Sequence, residues 1–231
     1  MTELLVNEMF ETIQGEGSYT GTPAIFIRLQ GCPVGCPWCD TKHTWEVLPE
    51  RVQASDVVLL KAAEDDRYFK ASTSELFTII ENKRWCAKHI VITGGEPCMY
   101  DLTDLTQAAI NKGFSVQIET SGTYEVICAP DTWVTVSPKI NMKAGMPVLT
   151  SAMLRANEIK HPIAMQKHID ELDQLLRDTE LEAKLSNKAV QPLIYIQPIS
   201  QLERATQLAV ETCIKRNWRL SVQLHKYIGV E

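Results

Sequence analysis

The chain has 231 residues, of which 45% are hydrophobic and 23% charged, enough to bury a core of its own without disulfide staples. The formal net charge is −6, and no run of Lys and Arg tracks a phosphate backbone, which argues against nucleic acid as a direct partner. The opening MTELLVNEMFETIQGEG lacks the segments of a signal peptide, and no stretch reaches the ~18–20 apolar residues needed to span a bilayer, so a cytoplasmic protein without a membrane partner is expected.

Residues 24–29 (AIFIRL) read as a strand that runs directly into a cysteine-rich loop. The stretch 47–70 has mixed charge and no period, and reads as an insertion within a single domain spanning 1–231. Residues 72–75 (STSE) have the form of a capping box and open a helix through 83. Residues 89–93 (HIVIT) form a strand ending in Gly94-Gly95-Glu96-Pro97, and a helix over 102–111 stops at Gly113. Strands over 115–119, 133–137 and 158–161, a helix over 168–185, a strand over 193–197, a helix over 202–216 and a strand over 219–223 complete the series. This alternation predicts an α/β fold of about six parallel strands with crossover helices. Periodicity alone does not choose between an open doubly wound sheet and a partial barrel. In either, sites gather at the C-terminal ends of the strands.

Cys32, Cys36 and Cys39 form a CxxxCxxC loop placed directly after the first of these strands. Three thiolates this close can face one metal centre, and thiolates are the usual ligands of iron–sulfur clusters. With only three protein ligands, a cluster keeps one coordination position open. Structural zinc is the competing occupant, but it favours paired C-x-x-C knuckles and no second knuckle is present. A zinc reading would need a distant fourth ligand among Cys86, Cys98, Cys128 and Cys213. Three polar turns, Gly94–Pro97, Glu119–Gly122 and Ser137–Lys139, close three successive strands and would surround the loop. Arg28 interrupts an otherwise apolar strand. Its guanidinium would match a carboxylate bidentately, or it would simply face outward; the local alternation does not decide.

The CxxxCx(aromatic)C loop and the GGEP turn together resemble the radical S-adenosylmethionine (SAM) superfamily. TIQGEG at 12–17, RLQGC at 28–32, CDT at 39–41, ITGGEP at 92–97, ETSG at 119–122 and SPK at 137–139 further resemble the 7-carboxy-7-deazaguanine synthase family. That resemblance implies a modified partial (β/α) barrel. It also implies a lyase reaction in the queuosine pathway, from 6-carboxy-5,6,7,8-tetrahydropterin to 7-carboxy-7-deazaguanine with loss of ammonia. The implied cofactors are a [4Fe-4S] cluster, SAM and Mg²⁺. The implied partners are a second copy of the chain and an electron-donor protein such as a flavodoxin.

Position by position, the resemblance puts Cys32, Cys36 and Cys39 on the cluster. It puts Trp38, Cys39, Asp40, Gly95, Ser137, Pro138 and Lys139 on SAM, with Gln197 a further SAM candidate. Ile13, Gln14, Gly15, Arg28 and Thr93 fall on substrate positions, and Thr41 on Mg²⁺. Residue chemistry alone would favour Asp40 for that ion. Glu16 would suit the guanidine-like edge of a pterin, or serve as a turn carboxylate. The rival functions are another radical SAM enzyme, such as a glycyl-radical activase, and a non-catalytic metal-binding interaction module. The first of these has no reason to combine TIQGEG, Arg28 and CDT.

Overall fold

In the computed structural model, which describes residues 3–62, 64–178, 181, 184–185, 187–188, 190–199 and 202–230, the strands join one open nine-stranded sheet. They are β1 (Leu4–Ile13), β2 (Pro23–Leu29), β3 (Phe69–Ala71), β4 (His89–Gly94), β5 (Ser115–Thr120), β6 (Trp133–Val136), β7 (Glu158–Ile163), β8 (Leu193–Pro198) and β9 (Arg219–Leu220). Their spatial order is β3-β1-β2-β4-β5-β6-β7-β8-β9. From β2 onward every pairing is parallel, while β1 runs antiparallel to both β2 and β3. The helices are α1 (Ser55–Val58), α2 (Thr73–Lys83), α3 (Thr103–Asn111), α4 (Thr150–Arg155), α5 (Gln166–Leu176), α6 (Glu203–Arg216) and α7 (Leu224–Ile228). Among the described residues no helix is long and apolar enough to cross a membrane.

Local chemistry explains several boundaries. Ser72 caps α2, and Glu75 reaches back to it, so the expected capping box is present. Gly113 ends the turn after α3 with φ +84°, a left-handed conformation that suits glycine. The helix expected over 168–185 is observed as α5, and residues 179, 180, 182 and 183 of that expectation lie outside the described residues. The strand expected over 219–223 pairs only at Arg219–Leu220 before the chain turns into α7. Sequence reading also missed β1 and β3. The 47–70 stretch contains α1 and leads into β3, burying Val58, Tyr68 and Phe69.

The period of two divides each strand into two faces. Ile25, Ile27 and Leu29 of β2, Ile90 and Ile92 of β4, and Val116 and Ile118 of β5 form one core with Leu76, Phe77 and Ile80 of α2 and Leu105 and Ala109 of α3. Val134, Val136, Ile159, Ile163 and Ile196 form a second with Met153 of α4, Ile169 and Leu172 of α5, and Ala209 of α6. The opposite phase is polar: Arg28, Thr93, Gln117, Glu119, Thr135, Glu158, Lys160 and Gln197 alternate with those core residues. That polar inner face is the floor of the site.

Candidate active site

Two adjoining clefts open over the inner face. One holds about 1050 Å³ and is bordered by Cys32, Cys36, Trp38, Cys39, Asp40, Thr93, Gly95, Ser137, Lys139 and Gln197. The other holds about 730 Å³ and is bordered by Ile13, Gln14, Gly15, Arg28, Asp40, Thr41 and Thr93. Of the candidate residues only Pro138 borders neither; it is buried between two that do.

The cysteine loop is held at its base. Gly31 N–H donates to the Thr44 carbonyl at 2.7 Å and Cys32 N–H to the Trp45 carbonyl at 3.0 Å. The Gly94–Pro97 turn is fastened to the same base, with Gly95 N–H donating to Leu29 O and Glu96 N–H to Gly31 O, both at 2.8 Å. A Cβ on Gly95 would collide with the Gly31 carbonyl. Glycine is therefore required there by backbone against backbone, a nearer reason than access for a ligand. Glu96 is buried and accepts from Cys98 N–H at 2.9 Å, Thr120 Oγ1 at 2.6 Å and Ser121 N–H at 2.8 Å, as well as from Ser121 Oγ. The GGEP carboxylate thus ties its own turn to the ETSG turn of the next strand.

The thiols suit thiolate ligation. Cys39 Sγ accepts from Thr41 N–H and from Trp45 Nε1–H, both at 3.4 Å, the contacts that steady and tune a cluster sulfur. Burial pushes the Cys32 thiol up to about 11, helped by Glu96 and the neighbouring cysteines and opposed by a backbone hydrogen bond at Val34. Burial also raises Cys36, while the Lys139 ammonium works against it. Thiols held this high shed their protons to a metal rather than to water, so loading is coupled to proton release. Among the described residues no three His, Cys, Asp or Glu side chains are gathered around one point as ligands of a single ion. The three cysteines border a wider space, and their donor chemistry fits an iron–sulfur cluster. Across that cleft Lys139 Nζ donates to Ser137 Oγ at 2.6 Å.

A charged wall separates the clefts. Glu16, Thr93, Glu119, Lys160, Asp40 and Gln223 border both. Lys160 Nζ donates to Glu16 Oε2 at 2.6 Å and to Glu119 at 2.8 and 2.9 Å. Burial would raise the Glu16 carboxyl, but Lys160 outweighs it and, with the Gln223 amide 3.0 Å away, holds Glu16 down to about 2. Glu119 goes the other way, to about 7: burial raises it, Glu16 and Glu158 repel its charge, and Lys160 only partly compensates. The wall therefore offers a fixed carboxylate, an ammonium and a carboxyl that titrates near neutrality. Such a set hydrogen-bonds both donor and acceptor edges of a polar heterocycle.

The 12–17 segment crosses beneath this wall. Gln14 Nε2 donates to Gln117 Oε1 at 3.2 Å, and Gln14 Oε1 accepts from Glu16 N–H at 3.0 Å, so its side chain serves to aim Glu16. Ser18 N–H donates to Glu158 at 2.9 Å, and Tyr19 stacks on His89 with ring centroids 4.2 Å apart. The C-terminal segment closes the top: Leu224 N–H donates to Gly15 O at 2.9 Å, and Lys226 Nζ pairs with Asp40 at 3.2 Å. Sequence reasoning did not single out Lys160, Gln223 or Lys226. The signal for Lys160 lay in the alternation of EIKHPI, where Glu158 and Lys160 share the polar phase. Cys86, Cys98, Cys128 and Cys213, the distant candidates for a fourth zinc ligand, border neither cleft.

A strand-end loop of three thiols, a GGEP turn fastened to its base and a parallel sheet closed on one face by polar side chains define a radical SAM protein. The radical SAM superfamily profile matches residues 26–137. The 7-carboxy-7-deazaguanine synthase of Escherichia coli (strain K12) is 55% identical over 97% of this chain and 98% of its own. The enzymes of that name from Buchnera aphidicola and Flavobacterium psychrophilum are 47% and 37% identical over 97% and 96% of the chain, and over 98% and 90% of their own. A crystal structure of QueE from Escherichia coli superposes with a TM-score of 0.90, covering 96% of this chain and 95% of that one at 55% identity. The chain belongs to the 7-carboxy-7-deazaguanine synthase family.

Proposed function

We propose that this chain converts 6-carboxy-5,6,7,8-tetrahydropterin to 7-carboxy-7-deazaguanine with loss of ammonia, on the way to queuosine. One observation carries the reading: the thiol-lined cleft and the Arg28 cleft share the Glu16–Lys160–Glu119 wall, so a cofactor in the first abuts a substrate in the second. Cys32, Cys36 and Cys39 would hold a [4Fe-4S] cluster. Trp38 to Asp40, Gly95, Ser137 to Lys139 and Gln197 would form the SAM surface, with Lys139 supplying a cation for its carboxylate. When bound, the cluster supplies the one-electron chemistry that splits SAM and lets a hydrogen atom be taken from the substrate.

The other duties fall to the chain's own groups. Arg28 offers a planar fork for the substrate carboxylate. Glu16 and Glu119 accept from the amino and ring N–H groups of the pterin, and Lys160 keeps Glu16 ionised beside them. Thr93 and the backbone of Ile13 to Gly15 set the position of the ring. Mg²⁺ is proposed at Thr41, with substrate oxygens and water completing its shell. Asp40, the alternative ligand, is engaged by Lys226 at 3.2 Å and Gln223 at 3.4 Å. The reading includes a homodimer, a flavodoxin-like electron donor, a cytoplasmic location and an insertion at 47–70 on a single domain.

Anaerobic reconstitution with iron and sulfide, reduction, and addition of SAM, Mg²⁺ and the carboxytetrahydropterin test it. The expected product is the deazaguanine acid. SAM cleavage without that product would assign another radical reaction, and intact SAM beside bound zinc would reject the class.

A further inference from the structure

Strand β1 carries an irregularity with a consequence for Arg28. Its pairing with β2 slips between Val6 and Glu8: Val6 faces Leu29 and Glu8 faces Arg28, leaving Asn7 as the extra residue of a β-bulge. In an unbroken strand, Leu4, Val6 and Glu8 would share one face, and Glu8 would enter the apolar core. The bulge reverses the phase. Met9 turns into the core instead, while Glu8 and Phe10 join Arg28 and Phe26 on the cleft side. The bulge is built in place: Asn7 is fully buried, and its Nδ2 donates to Gln30 Oε1 at 2.7 Å. Gln30 in turn donates to the carbonyls of His43 at 3.1 Å and Glu46 at 2.6 Å, on the far arm of the cysteine loop.

The result is a held guanidinium. Arg28 Nε donates to Glu8 Oε2 at 2.7 Å, and both side chains are mostly buried. The guanidinium carbon lies 5.8 Å from the centre of the Phe10 ring, which stacks on Phe26. Among the described residues both Nη groups of Arg28 are without a hydrogen-bond partner. Burial would raise the Glu8 carboxyl, but His43, whose Nε2 lies 3.6 Å from Glu8 Oε1, and the hydrogen-bonded Arg28 hold it down to about 2.

We infer that Glu8 is the positioning residue of the carboxylate subsite: delivered by the Asn7 bulge, it takes Arg28 Nε and presents the remaining N–H groups to the carboxylate of the substrate. The inference rests on the proposed function for the identity of that carboxylate. An arginine left to itself samples many rotamers, and this entropy would be lost on binding. Glu8 removes that freedom beforehand. Its negative charge acts the other way, weakening the pull on a second carboxylate, so the two roles differ in sign and are separable.

The test compares equilibrium binding of 6-carboxytetrahydropterin with that of tetrahydropterin, which lacks the carboxylate, in cluster-loaded protein. If Glu8 positions Arg28, Glu8→Ala lowers the preference for the carboxylated ligand about tenfold, while Glu8→Gln, which keeps an acceptor oxygen, stays within about threefold of the parent. In an Arg28→Ala background, Glu8→Ala produces no further loss. If Glu8→Ala does not fold, Glu8→Met, of similar length without an acceptor, takes its place. A preference that rises in both Glu8→Ala and Glu8→Gln would show simple charge balance and overturn the inference, as would additivity with Arg28→Ala. Because the readout is a binding ratio, it stands apart from turnover. A parent protein with no preference for the carboxylated ligand would instead reject the proposed substrate.

Discussion

The two clefts are built in opposite ways. The thiol side comes largely from one short stretch of chain, the loop after β2, clipped to the turn after β4 by two backbone hydrogen bonds. The wall of the substrate side comes from groups far apart in sequence: Lys160 meets Glu16 across 144 residues and Glu119 across 41. A contiguous loop can lose a ligand without disturbing the sheet. A wall of buried charges cannot, because each member is neutralised by another from a distant part of the chain.

The sharpest way to break that contrast is Cys36→Ala. Bound iron and product formation should fall by two orders of magnitude or more, since a missing ligand leaves no replacement. The thermal midpoint of the metal-free protein should move by only about 2–4 °C, the shift of about 1 kcal/mol in a chain this size. Unfolding of the metal-free variant well below that range would show that the loop also supports the sheet.

Lys160→Met should do the reverse. It strands Glu16 and Glu119 in the interior, and removing one partner of a buried ionic group costs about 3–5 kcal/mol. Denaturant titration should show a larger loss at pH 8 than at pH 6, because the parent's Glu119, raised to about 7, ionises against Lys160 between them, while the variant has no ammonium to receive that charge. Equal stability of the variant and the parent at pH 8 would mean that the wall is not held by charge.

Glu119→Gln sharpens the same point. Its carboxyl is raised from 4.5 to about 7 in the folded chain, so the native state binds that proton more tightly than the unfolded state. The associated stability is complete below about 4.5 and disappears as the pH climbs through about 7, an upper figure of about 3 kcal/mol. The variant should lack this slope between pH 5 and 8. Glu16, lowered to about 2, contributes in the opposite sense: its stabilisation is present above 4.5 and lost as the pH falls toward 2. It does not mask the window. The smallest effect belongs to Lys226→Ala. Asp40's side chain is 64% exposed, so losing this surface pair should change stability by less than about 1 kcal/mol, read as a thermal midpoint nearly unchanged.

The same contrast explains what the sequence discloses. The cysteine loop, the GGEP turn and the Ser72–Glu75 cap are local, and their spacing alone announces them. The parallel strands are legible because each is short, apolar and followed by a polar tip. Strand β1 is hidden by its own bulge: in LLVNEMFETI the alternation changes phase at Asn7, so no single period of two runs through it. The wall is hidden for a different reason. Glu119 and Lys160 look like ordinary polar positions of their strands until the β5-β6-β7 order brings them onto one face. The same alternation that buries Ile159 turns Lys160 inward, where only its two carboxylate partners make an ammonium tolerable. Gln223 and Lys226 become visible only once the C-terminal segment is seen to fold over Gly15.

The central claim is that the two clefts act as one site across the shared wall. The most direct measurement supplies ring-deuterated carboxytetrahydropterin to the reconstituted, reduced protein and follows the label into the adenosyl group, recovered as SAM or as 5′-deoxyadenosine. The account predicts deuterium in that adenosyl group together with formation of the deazaguanine acid. An adenosyl group that stays free of label while product forms would contradict it, as would cleavage of SAM that leaves the pterin untouched.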